Sequence, residues 1–426
     1  MEHIESDVLV VGSGAAGLRA AISAKQKGLD VCVISKQAPG KATCTMLSAG
    51  VFAGTEENKS SGHHLKSTLQ AGRGINQKEL VKVLTDEGPM RLQELKKWDI
   101  DAAFHHGYLY CKGRAPYRGR EIVKCLLTKN EVIGTRFISG HMVADLKQMD
   151  GIFGILAYSP RADKWLTIGA KTVILATGGA AALYLRHDNP KRMLGDGYVL
   201  AYRAGAVLQD LEFVQFYPLG LAEPGLPAFL VPPNIADYGQ LFNTRGEDIL
   251  NKYNIRERPA AEKARDTLSQ ALFTEIYKKD REVFLDLRKV SEHKWAENPF
   301  SASSRPILGE RYRANQRPVR VAPMAHHTMG GACIDADGMT SLPGLFAAGE
   351  VTGGLHGANR MGGNALTETL VFGARAGEAA ANWAMDGDRV LKSEIFKDAE
   401  VEKLAFVQET DGSNPAELMT SLSEII

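Results

Sequence analysis

The feature that most restricts this chain is a glycine triplet set between a strand and a helix. Asp7 to Val11 is unbroken and apolar, as expected of a parallel strand buried on both faces. It runs into Gly12-Ser13-Gly14-Ala15-Ala16-Gly17, then the helical stretch LRAAISAKQKG, then a second strand, DVCVIS. This is a βαβ dinucleotide fingerprint in its proper setting. Gly12 makes the turn, Gly14 lets a pyrophosphate approach the backbone, and Gly17 lets helix and strand pack closely. The second strand ends in Ser35-Lys36, where a ribose-binding acid is usual; Ser35 can still bond a ribose hydroxyl, but free NAD is disfavoured.

Two later strands end the same way. Lys171 to Gly179 (KTVILATGG) and Gly344 to Gly349 (GLFAAG) each close on glycine, and Glu350 follows the second, placed to bond a ribityl chain. Three such strand ends suit one long dinucleotide. After the third, GEVTGGLHGANRMGGNALTETLVFGARAGE carries His356 and Arg360 in a glycine-rich turn and opens into a helix near Asn364. A helix start offers unpaired N–H groups and partial positive charge, a seat for a reduced flavin's electron-rich edge or a carboxylate. Arg360 can grip a carboxylate bidentately. Pro39 to Gly54, rich in small and hydroxylic residues, suits backbone laid along a flat ligand.

With 426 residues, 44% hydrophobic, the chain can bury a large core in two or three domains. A formal net charge of +1 points away from nucleic acid and anionic membranes. Cys32, Cys44, Cys111, Cys125 and Cys333 form no CxxC pair, which argues against an iron–sulfur or zinc site in this chain and for a reducing, cytoplasmic setting. No signal peptide and no apolar run of membrane-spanning length is visible. His63-His64 and His105-His106 are adjacent pairs whose side chains diverge on a helix, so metal binding there is not expected. Residues 59–109 read as surface helices, and Gly134 to Asp145 and Phe153 to Tyr158 as strands of a small antiparallel section. Residues 212–325, rich in proline and charge, read as a capping domain inserted between a first nucleotide-binding part, 1–211, and a second, 326–390. Residues 391–426 read as a charged helical segment that stops on SLSEII without a cap, the expectation being a truncated helical domain beginning at Pro415.

GSGAAG, LATGGA, GDGYVLAYRAGA, DLEFVQF, HHTMGG, GLFAAGE and HGANRMGGNAL occur in that order. Together they resemble the flavoprotein subunits of succinate dehydrogenase and fumarate reductase, and L-aspartate oxidase, over nearly all of residues 5–385. The resemblance implies an α/β fold: a glutathione-reductase-like FAD-binding Rossmann domain, an α+β capping domain and the start of a helical C-terminal domain. It implies hydride exchange between flavin N5 and a carbon next to an activating carboxylate, with electrons shared with a partner protein, by family expectation an iron–sulfur subunit. It puts FAD contacts on Gly12, Gly14, Ala15, Gly17, Ser35, Lys36, Thr45, Gly50, Ala176, Thr177, Gly178, Asp196, Glu350, Arg360, Asn364, Ala365 and Leu366. The histidine that links flavin covalently in many members aligns with Cys44, so non-covalent FAD is expected, with the lower potential that favours reductive chemistry.

In the active site, His326 and Arg360 match the clamp for one carboxylate, and Arg265 of KARDTL matches the arginine that donates a proton. The second clamp departs from the family. Tyr217 replaces the histidine of QFHPTG, and Val231-Pro232-Pro233-Asn234-Ile235-Ala236 stands where TEGxRG is usual. The expectation is therefore a substrate with one anionic group held by His326 and Arg360. Its other end would face an apolar wall of Val231, Pro232 and Tyr217, with Arg265 or Tyr217 handling the proton. Succinate, fumarate and aspartate are then poor substrates. Two other readings stay open: an electron-transfer subunit that has lost small-molecule catalysis, and an L-aspartate oxidase or fumarate reductase proper.

Overall fold

The computed structural model describes residues 2–54, 61–113, 117–386 and 414–425. The main sheet has the order Arg136–Ser139, Val31–Ser35, Glu2–Val11, Lys164–Leu175. These four strands are parallel, so the central pair is covered on both faces and reads as continuous apolar sequence; Val8, Leu9, Val10, Val31, Cys32 and Val33 are fully buried. The long strand Lys164–Leu175 divides its outer edge between two partners. Ile152–Ser159 pairs antiparallel along its first half, and Leu345–Ala347 pairs parallel along its last three residues. Met142–Met149 completes the antiparallel side. The antiparallel section is thus a meander fused to the main sheet, and Arg136–Ser139, expected within it, is instead the parallel edge beside Val31–Ser35. Ala102–His105 and Tyr108–Cys111 form a hairpin where helix was expected; the helices before it are Ser61–Ala71 and Lys78–Lys97.

The carboxyl ends of the parallel strands, at Val11, Ser35, Leu175 and Ala347, open on one crevice. Helix Ala15–Lys25 leaves that crevice and packs against helix Asn364–Met385. The crossing is close because both faces are alanine and glycine: a Cβ on Gly377 would lie 2.2 Å from the Ala20 carbonyl oxygen. A second hydrophobic cluster, from Tyr217 to Val321, surrounds an antiparallel sheet of order Val214–Leu221, Val319–Thr328, Val283–Asp286, Gln240–Asn243. Strand Val319–Thr328 runs through the expected 325/326 boundary; its first half packs in the second cluster and its end carries His326 and His327 toward the crevice. Pro415–Ile425 is helical, and the expected helical stretch from Leu391 lies outside the described residues up to position 413. Among the described residues no helix is long and apolar enough to cross a membrane.

Candidate active site

The crevice has two lobes that meet at Cys44, Thr45, Glu350 and Thr369. The first lobe is walled by the strand ends. Gly12 has φ +116°, and a Cβ there would sit 2.2 Å from the Ala176 carbonyl oxygen, so the turn admits glycine alone. Gly14 differs: an added Cβ would meet nothing nearer than Thr45 Oγ1 at 3.7 Å, which leaves room for a ligand against the backbone. It caps helix Ala15–Lys25 without a side-chain bond, so that helix start faces the lobe, with the Ala15 N–H donating to Thr45 Oγ1 at 3.0 Å. Lys36 pairs with Asp196 across the outer end, and the Thr177 hydroxyl is buried without a partner. Glycine turns, a helix start, an orphan hydroxyl and a Lys–Asp pair fit the pyrophosphate and ribose of a dinucleotide.

Fifteen of the seventeen expected FAD positions line the two lobes. Gly17 and Asn364 do not. Gly17 serves packing, since its Cβ would lie 2.0 Å from the Gly12 carbonyl oxygen. The Asn364 side chain turns inward, accepting from His64 Nε2 at 2.6 Å and donating to Thr68 Oγ1 at 2.9 Å; Gly363, Ala365 and Leu366 present the helix start instead. His356 is buried against Glu368 at 2.9 Å and lines neither lobe. Cys44 does line both, with its thiol donating to Asn189 Oδ1 at 2.9 Å, and burial pushes the thiol well above its ordinary pKa.

The second lobe, about 380 Å³ against about 150 Å³ for the first, gathers Arg265, His326, Arg360 and Tyr217 from four separate elements. Arg360 is buried and fixed by Gln215, which accepts from Nη2 at 3.0 Å and donates to the Arg360 carbonyl oxygen at 2.9 Å; its Nε has no partner. Burial, then repulsion from Arg265, brings its pKa down to about 10, so it stays charged at neutral pH. Burial also lowers the pKa of Arg265, whose guanidinium lies 5.7 Å from the Tyr217 ring. Among the described residues neither arginine makes an ion pair within 4.0 Å. A buried guanidinium beside a half-buried one, neither held in an ion pair, attracts an anion. Glu350, at the junction, accepts from the Thr328 N–H at 3.0 Å; burial carries its pKa up to about 7.

Two expectations change here. The Tyr217 hydroxyl donates to the Val231 carbonyl oxygen at 2.5 Å and burial raises its pKa, so its proton is held away from the lobe. Val231 and Pro232 are buried and do not form the wall. The Val231 N–H bonds the Leu219 carbonyl, which aligns this segment alongside Val214–Leu221; Val231 packs in the core and Leu230 lines the lobe. The apolar wall is Ala228, Phe229, Leu230, Pro233 and Phe300, with Tyr117. Among the polar residues that sequence reasoning missed is Asp188, of Arg186-His187-Asp188-Asn189-Pro190, which lines the lobe and binds His326. A short charged run five residues after LATGGA was its signal in the sequence.

A family model described as FAD binding domain matches residues 7–366. The chain is 35% identical to a fumarate reductase (CoM/CoB) polypeptide of Methanothermobacter marburgensis, over 99% of this chain and 81% of that protein. It is 33% identical to L-aspartate oxidase of Saccharolobus solfataricus, over 88% of this chain and 77% of that protein. An E. coli quinol fumarate reductase FrdA variant superposes with a TM-score of 0.85 at 29% identity, covering 100% of this chain and 78% of that one. The strand-end crevice and these likenesses agree: the chain belongs to the FAD-binding flavoprotein family of fumarate reductases, succinate dehydrogenases and L-aspartate oxidases, and is an FAD-dependent oxidoreductase acting on CH–CH bonds.

Proposed function

We propose that this protein interconverts an α,β-unsaturated acid and its saturated form, and that the acid carries one anionic group and an apolar far end. The observation behind this reading is the make-up of the second lobe: Arg265, Arg360 and His326, close enough to feel one another's charge, share it with Phe229, Leu230 and Phe300. FAD, held non-covalently by the strand ends and the Asn364–Met385 helix start, supplies hydride exchange at N5. Arg360 and His326 bind and orient the carboxylate, and Gln215 keeps Arg360 from rotating away. Arg265 is the proton donor to the neighbouring carbon, because the Tyr217 proton is engaged by Val231. The apolar wall excludes water and selects the far end; a second carboxylate there would lose charge-assisted hydrogen bonds of about 1.5–3 kcal/mol each. Cys44 in place of a linking histidine, and its raised pKa, support non-covalent attachment. Electrons enter from a partner protein, an iron–sulfur subunit being the family expectation.

The test is anaerobic photoreduction of the holoenzyme followed by mixing with crotonate, monomethyl fumarate, cinnamate and fumarate. Reoxidation faster with the one-carboxylate acids supports the reading. Fumarate outpacing all of them points to a fumarate reductase proper, and reoxidation only by an iron–sulfur protein or dye to an electron-transfer subunit.

A further inference from the structure

Asp188 is, with Glu350, one of two carboxylates in a lobe that also gathers Arg265, Arg360 and His326, and its partner is one of the residues that holds the substrate. His326 Nδ1 lies 2.7 Å from Asp188 Oδ2. A carboxylate oxygen accepts, so Nδ1 carries a proton and Nε2 is the ring atom left for the substrate. With a single proton on the ring, Nε2 is a bare lone pair and repels a carboxylate. To donate to an anion, His326 needs a second proton, and the Asp188 charge stabilises the imidazolium that results. Asn189 fixes the geometry: its Nδ2 donates to Asp188 Oδ1 at 2.9 Å and to the His326 carbonyl oxygen at 2.9 Å.

We propose that Asp188 is a positioning residue that makes substrate binding proton-linked: His326 takes up one proton from solvent as the carboxylate docks, Nδ1–H facing Asp188 and Nε2–H facing the anion. This rests on the one-carboxylate reading above. The other titratable or charged groups around His326 are His187 on the segment bridged to Ala325, His327 next in the chain, Tyr217 with its ring centroid 6.2 Å away, and Arg265, Arg360, Glu350 and Cys44 on the lobe wall. Glu350, carried up to about 7 by burial, adds its own pH dependence. The decisive readout is therefore the imidazole itself.

The variant Asp188→Asn makes a specific prediction. Asn189 still donates to the oxygen at the Oδ1 position, so the new amide NH₂ faces His326 Nδ1 and donates to it. His326 is then forced into its neutral Nε2–H form, which can bond an anion without taking up a proton. The experiment uses oxidised holoenzyme with ¹⁵N-labelled histidine, titrated with crotonate at pH 8, where the oxidised flavin leaves the acid unreacted; His326→Gln assigns the signal. In the wild type, both His326 nitrogens become protonated on binding. Calorimetry in buffers of different ionisation enthalpy then gives about one more proton taken up than in D188N. In D188N the ring shows Nε2–H alone, free and bound. A wild-type complex with a neutral His326 overturns the proposal, and needs no variant to read. Equal proton uptake in wild type and a folded, flavin-loaded D188N overturns it too. Failure of crotonate to bind at any pH instead removes the one-carboxylate reading, and this inference with it.

Discussion

Replacing Arg360 by methionine separates a ligand-binding cation from a structural one. The side chains have similar length, and methionine adapts to irregular space. In the folded protein Arg360 is a buried cation without an ion-pair partner among the described residues, bonded to Gln215 through Nη2 and unpartnered at Nε. Its removal leaves the Gln215 acceptor unpaired, a cost of about 1–3 kcal/mol, but relieves the desolvation that holds the guanidinium pKa down at about 10. The two terms offset, so the apoprotein should melt within a few degrees of the wild type. Substrate binding has no such offset. One or two charge-assisted bonds to the carboxylate disappear, at about 1.5–3 kcal/mol each. Taking about 3 kcal/mol, kcat/KM falls roughly a hundredfold. The assay is stopped-flow reoxidation of photoreduced protein by crotonate, with rates normalised to bound flavin because Arg360 is also an expected flavin contact. A variant with wild-type kcat/KM would refute the clamp. A large drop in melting temperature with kcat/KM unchanged would show Arg360 to be a structural residue.

Gly12→Ala forces a Cβ to 2.2 Å from the Ala176 carbonyl oxygen at φ +116°, so the purified protein should lose most of its flavin absorbance. Tyr217→Phe removes a hydroxyl that, among the described residues, bonds only the Val231 carbonyl oxygen; we expect a stability loss of about 1 kcal/mol and turnover within about threefold, whereas a hundredfold loss would restore Tyr217 as the acid. Glu350, raised by burial to about 7, makes the apoprotein bind a proton that the unfolded chain, titrating near 4.5, has released. Stability from this group is thus full below about pH 4.5 and declines as pH rises to about 7, by roughly 3 kcal/mol in all. Denaturant titrations of the apoprotein should show that decline, and Glu350→Gln should abolish it.

The local chemistry of the cofactor site was legible because it is written in short runs. A turn at φ +116°, a backbone approached by a ligand and a helix packed at van der Waals contact each demand glycine at a set place. That is why Gly12, Gly14, Gly178 and the Gly349–Leu366 stretch could be placed from sequence. Gly17 packs helix against strand, as the fingerprint led one to expect, whereas the Asn364 side chain bonds His64 and Thr68, which its run does not disclose. The substrate lobe is different in kind. Whether Val231 or Leu230 lines the lobe depends on how this segment lies against strand Val214–Leu221, a contact that local sequence does not specify. Tyr117 and Phe300 join the wall from segments far away in the chain. Asp188 looks like an ordinary loop acid until the end of strand Val319–Thr328 brings His326 to 2.7 Å from it. Sequence determined where the backbone must bend or be approached, since those constraints act within a few residues; the fold alone decided which side chains share a cavity, since burial and charge pairing act through space between segments that the chain keeps far apart.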